Sequence, residues 1–156
     1  MWKELFLSLL LAHLVADFAL QTRKGCKDKV ERKWRSPYHY GHAVIVFVLS
    51  WLVTWDVQFW WCALMIGITH FAIDMWKSYR EENVVWFSVD QILHIVILAG
   101  VAVFWCNMYD WSIPFGLASK TIAIAVAALV CWKPANIYIK LMLRHGNLSM
   151  SLPARC

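Results

Sequence analysis

The chain of 156 residues is poor in charge, with only 16% Asp, Glu, Lys and Arg, and it lacks the short motifs that mark common soluble chemistries. It has no Gly-rich phosphate loop, which excludes the usual nucleotide-cradling turn, and no nucleophile elbow, which excludes the serine-hydrolase site built on one. The five cysteines, at 26, 62, 106, 131 and 156, form no C-x-x-C motif. Cysteine-based zinc ribbons and thioredoxin-like redox sites are therefore excluded, and most of the thiols read as small apolar side chains. Cys62 and Cys106 fall toward the outer ends of adjacent predicted spans, where a disulfide has room to form. No internal repeat exists beyond the reuse of one His/Asp pairing.

What the chain has in abundance is apolar surface. It is 61% hydrophobic, carries 11 Trp and has a positive mean hydropathy, too apolar for an ordinary soluble domain and about one domain long. These values predict an all-α, polytopic transmembrane helix bundle. The net charge of +5 could suggest a nucleic-acid partner, but the basic residues lie in short segments between hydrophobic stretches. They read as topology signals, and no nucleic-acid partner is expected.

Five stretches are predicted to cross the bilayer, at about 5–21, 42–55, 59–76, 92–106 and 115–132. The connection 22–40 holds Arg23, Lys24, Lys27, Lys29, Arg32, Lys33 and Arg35 against only Asp28 and Glu31. By the positive-inside rule it is cytoplasmic, and alternation then places thirteen of the fifteen Lys and Arg inside, leaving Lys3 and Lys120. The expected topology is N-terminus out and C-terminus in, with a transmembrane domain over 1–143 and a disordered tail over 144–156. The basic connection also attracts anionic lipid headgroups, although fixing topology alone explains its bias. Residues 55–58 are so few that spans two and three should form a tight antiparallel hairpin, ringed by Trp51, Trp55, Trp60 and Trp61 as an interfacial aromatic belt. The opening MWKELFLSLLLAHLVADFA has a weak signal-peptide look, but Lys3 and Glu4 make a feeble basic start, so a retained helix is expected. Ala123, Ala125, Ala127 and Ala128 give the last span a small-residue surface suited to close packing, within the chain or in a homo-oligomer.

Ionisable groups interrupt this apolar background at a regular spacing. His13/Asp17, His70/Asp74 and Asp90/His94 are each four residues apart, so each pair presents an imidazole and a carboxylate on one helix face, about 6 Å apart along the axis. His42, at the start of another span, is a seventh candidate. The topology puts all of them toward the cytoplasmic ends of four spans, with His13 a turn deeper as the floor of a cavity. Imidazole and carboxylate together suit a divalent zinc, manganese or iron ion, and Gln21, Lys77 and Gln91 are candidates to support the ligands. A bound ion would activate water against a lipid-like or phosphorylated substrate, although no residue can be assigned a catalytic role from sequence. Plainer readings stand beside this one. Asp74 with Lys77 reads as an interfacial ion pair, Asp90 as the N-cap of the fourth span, and lone His residues as packing groups. A cation or proton relay, or a scaffold locked by polar contacts, uses the same residues, but polar groups are sparse toward the outer face.

The strings HLVADFALQTRK (13–24), HYGHAV (39–44), THFAIDMWK (69–77) and VDQILHI (89–95) resemble the signature blocks of the domain-of-unknown-function 3307 (DUF3307) integral membrane proteins of bacteria. KPANIYIK (133–140) resembles a further block. The resemblance implies a multi-pass protein of the bacterial cytoplasmic (inner) membrane, surrounded by lipid, with no assigned activity. It also implies a member lacking the family's C-terminal part, since relatives continue into another hydrophobic region where this chain runs into RHGNLSMSLPARC. The layout is similar in style to membrane-bound metal-dependent hydrolases, by analogy only.

Overall fold

Long apolar runs separated by short polar turns produce a wholly helical chain in the computed structural model, which describes residues 1–113 and 119–145. Of the tail expected over 144–156, residues 144 and 145 are helical and 146–156 lie outside the described residues. Helix α1 (Trp2–Leu14) continues into a π-helical turn, Val15–Leu20, and the chain then bends by 90° into α2 (Arg23–Arg32). Thr22 makes that bend local: its Oγ1 accepts from the Gly25 amide at 3.2 Å and caps α2. Gly25 is required at this bend, because a Cβ there would stand 2.9 Å from the Tyr38 ring.

After a 3₁₀ turn, α3 (Pro37–Thr54) opens with proline at its first position, where the missing N–H costs nothing. It stops at Trp55, whose left-handed φ of 52° reverses the chain, and Asp56 accepts from the Gln58 amide in the short link to α4 (Trp60–Ser78). The predicted hairpin is thus present, and glycine lets it close tightly. A Cβ on Gly67 would lie 3.1 Å from the Phe47 Cβ and 3.3 Å from the Ala43 carbonyl. Helix α5 (Val84–Met108) is followed by α6 (Ser119–Trp132) and α7 (Pro134–His145).

Three segments are long and apolar enough to cross a membrane, Val57–Ser78, Val84–Met108 and Ser119–Leu143, or four if α1 and α2 count as one bent span. Five spans were expected. The difference lies in the first segment, Trp2–Leu20, which carries Lys3, Glu4 and Asp17, and in α3, whose first two turns carry Tyr38, His39, Tyr40 and His42. The fourth predicted span starts earlier than expected. Asn83 caps it by accepting from the Trp86 amide at 2.9 Å, so Asp90 sits well inside α5 and is not its N-cap. The disulfide considered for Cys62 and Cys106 is not formed, and both thiols are free.

Helices α1, α3, α4 and α5 share one apolar core built from Leu5, Leu9, Val46, Ile66, Leu98 and Ala102, with Phe59 and Trp105 edge to face at 5.0 Å. Leu14 and Phe18 pack on Ile122 and Val126, which attaches α6 to the outside of this group.

Candidate functional site

At the other end of the same four helices, the six residues singled out by spacing come together with His42. They form three overlapping groups: His13, Asp17 and His70; His42, His70 and Asp74; and Asp74, Asp90 and His94. Within each group one ligand atom per residue lies within 4.8 Å of the others. The imidazoles of His13, His70 and His94 pack ring against ring, with centroids 4.8 Å apart for His13 and His94 and 4.2 Å for His70 and His94. All four histidines and Asp90 are buried, and Asp17 and Asp74 nearly so.

Local backbone geometry aims these groups. Asp17 lies in the π-helical turn, where an extra residue per turn loosens the hydrogen-bond ladder and swings the carboxylate inward, as such turns often do at functional sites. His13 Nδ1 remains 3.8 Å from Asp17 Oδ1, so the pair stays together. On α5, His94 Nδ1 lies 2.8 Å from the Asp90 carbonyl. Donation to that oxygen sets the tautomer and leaves the buried Nε2 lone pair free, without a partner.

Three atoms at the centre make a triangle. Asp17 Oδ1 is 3.1 Å from His42 Nε2 and 3.4 Å from His70 Nε2, and the two Nε2 atoms are 3.0 Å apart. With Asp17 ionised and both imidazoles neutral, no placement of protons satisfies all three edges. If both imidazoles donate to Asp17, two N–H groups face each other; if His70 donates to His42, the His42 nitrogen can no longer donate to Asp17. A cation at the centre would resolve the conflict. Ligands about 2.0–2.1 Å from a tetrahedral zinc stand about 3.3 Å from one another, close to the observed edges. Asp74 Oδ2, 3.8 Å from both Nε2 atoms, is placed as a fourth corner.

Two lysines neutralise the remaining charge. Lys29 Nζ, buried under α2, is 2.6 Å from Asp74 Oδ2, and Lys77 Nζ is 2.5 Å from Asp90 Oδ2. The expected pairing of Asp74 with Lys77 is therefore replaced. Asp74 is met from above by a residue 45 positions away, whereas the fully buried Asp90 draws Lys77 across to α5. Gln91 Nε2 also donates to Asp90, at 2.9 Å, and Gln21 lines the cavity over the cluster.

That cavity, of about 310 Å³, is bounded on the site side by Asp17, Asp74, Lys29 and His39. Neither Lys29 nor His39 was a candidate from sequence. Lys29 was hidden in a basic run whose bias topology already explained, and His39 stood three residues from the more suggestive His42. Burial, reinforced by the Lys29 charge, holds the His39 imidazole below its ordinary pKa, so it is neutral at pH 7 with one N–H to give. Neither of its ring nitrogens makes a hydrogen bond of normal geometry, although the Lys29 backbone lies nearby.

Compared with known proteins, residues 5–131 match the family described as protein of unknown function (DUF3307). No curated protein and no solved structure matches.

Proposed function

The chain belongs to the DUF3307 family, which the match over most of its length shows, and from that premise we propose a multi-pass metalloprotein of the bacterial cytoplasmic membrane. In this reading it binds one or two divalent ions, zinc, manganese or iron, through His13, Asp17, His42, His70, Asp74, Asp90 and His94. The chain crosses five times, N-terminus out and C-terminus in, and the site opens toward the cytoplasmic surface beneath basic α2.

The triangle of Asp17, His42 and His70 carries the reading, because a cation would satisfy three close approaches that an ionised carboxylate and two neutral imidazoles cannot. Held by these residues, an ion would lower the pKa of a coordinated water toward 7 and so supply a nucleophile for hydrolysis of a lipid-like or phosphorylated ester. A cation or proton relay would need a continuous polar route through the opposite half of the bundle, whereas Leu5, Leu9, Val46, Leu98 and Trp105 occupy most of it, with Ser8, Ser50 and Thr54 the buried polar residues among them. The one-sided arrangement favours the hydrolase reading.

Metal content of the detergent-purified protein by inductively coupled plasma mass spectrometry tests the site. About one or two equivalents of a transition metal are expected, lost in Asp17→Ala and His70→Ala; removing a residue that merely orients a ligand costs 10- to 100-fold, so removing a ligand should cost more than about 100-fold in affinity. A folded wild type that holds no metal after incubation with zinc, manganese and iron would sink the hydrolase reading.

A further inference from the structure

The cavity over the cluster has a mixed lining. Phe18, Phe87, Ile137 and Leu141 supply apolar surface, and Lys29, His39, Lys77 and Arg80 supply basic and polar groups. Lys29 and Lys77 are committed to Asp74 and Asp90. Arg80 is held differently. Its guanidinium lies over the rings of Trp76 and Trp86, with the central carbon 5.2 and 5.0 Å from their centroids. Those rings meet edge to face at 5.4 Å. Two aromatic faces orient the guanidinium plane without engaging its N–H edge, which remains available for a bidentate acceptor such as two oxygens of a phosphate. Trp is also a residue enriched at the headgroup level of a bilayer, which in the topology proposed above would put Arg80 at the level of the lipid phosphates.

The acidic groups along the cavity do not cancel this arrangement. Glu81 and Glu82 are exposed at the rim, where water screens their repulsion, and Asp17 and Asp74 belong to the metal-ligand set proposed above. Deeper in, His39 is 1% exposed and supplies an N–H that no protein acceptor takes up in normal geometry.

We propose that this cavity receives a phosphate-bearing amphiphile, with Arg80 gripping the phosphate at the membrane surface, His39 donating to the polar part within, and the apolar surface of Phe18, Phe87, Ile137 and Leu141 holding the chain. The inference names the substrate class of the metal site and rests on that reading for chemistry, but not for binding. Arg80 acts here as a specificity-determining residue.

Binding of three probes to the full chain in maltoside micelles separates the alternatives: dioctanoyl phosphatidic acid, dioctanoylglycerol and inorganic phosphate, titrated with zinc present and absent. Phosphatidic acid should bind at least about tenfold more tightly than the other two, as expected for hydrogen bonds to a charged group. Arg80→Ala should erase that preference without changing dioctanoylglycerol binding. Arg80→Lys should restore only part of it, because a point charge cannot replace the fork. Equal affinity for the two amphiphiles, or a preference that survives Arg80→Ala, overturns the proposal. Tighter binding of inorganic phosphate than of phosphatidic acid overturns the amphiphile and assigns a soluble phosphate instead. Metal analysis of the same samples keeps the two readings apart. Metal retained without phosphate selectivity removes only this inference, and selectivity without metal removes only the hydrolysis. If Arg80→Ala loses helicity, the comparison of wild type with Arg80→Lys decides.

Discussion

Helices α1, α3, α4 and α5 are joined at their two ends in different ways. At one end Phe59, Trp105, Leu5 and Leu9 interdigitate, and apart from the unpartnered Trp105 Nε1 these contacts demand nothing further. At the other end, four imidazoles and three carboxylates converge with Lys29 and Lys77, and His13 Nε2, His94 Nε2 and Asp90 Oδ1 have no hydrogen-bond partner. A buried polar network satisfied only in part costs stability, so its retention in an otherwise well-packed bundle points to use. The contrast teaches that the apolar end makes the fold and the polar end is held in place by it.

The largest effect should come from the polar end. Lys29→Met leaves the nearly buried Asp74 carboxylate without its cation, which should cost the metal-free protein about 4 kcal/mol. Thermal denaturation with and without zinc reads this loss, and saturating zinc should recover most of it, because the ion replaces the ammonium. A loss that no divalent ion reverses would remove Asp74 from the ligand set. At the apolar end, Phe59→Ala should cost about 2 kcal/mol, below the value for a soluble core, since lipid solvates the separated helices and only packing is lost. Metal content per folded molecule should not change, and metal lost from a folded Phe59→Ala protein would break the distinction between the two ends. The smallest effect is expected at the seam joining them. Gly67→Ala pushes a methyl against Phe47 and the Ala43 carbonyl and should cost about 1 kcal/mol, visible as a lowered midpoint in detergent.

Periodicity made much of this legible. Four-residue spacing marks His13/Asp17, His70/Asp74 and Asp90/His94 because side chains one turn apart on a helix face the same way, and all seven candidates do meet in space. The 55–58 hairpin was equally plain from its shortness. Boundaries and cross-element partners were not. The Asp90 cap failed because Trp86 and Phe87 are apolar enough to sit in a helix that Asn83 had already started. The Asp74–Lys77 pair failed because sequence proximity says nothing about a lysine arriving from α2.

The sequence by itself determined an all-helical, strongly apolar chain, its family and the residue types able to hold a divalent ion, since composition and helical spacing are local properties of the chain. Only the tertiary structure decided that Asp17 sits in a π turn, that Lys29 meets Asp74, and that Asp17, His42 and His70 close a triangle of polar atoms 3.0 to 3.4 Å apart. Those features depend on where separate helices bend, cross and bury their polar ends, which is set by packing among residues far apart in the chain.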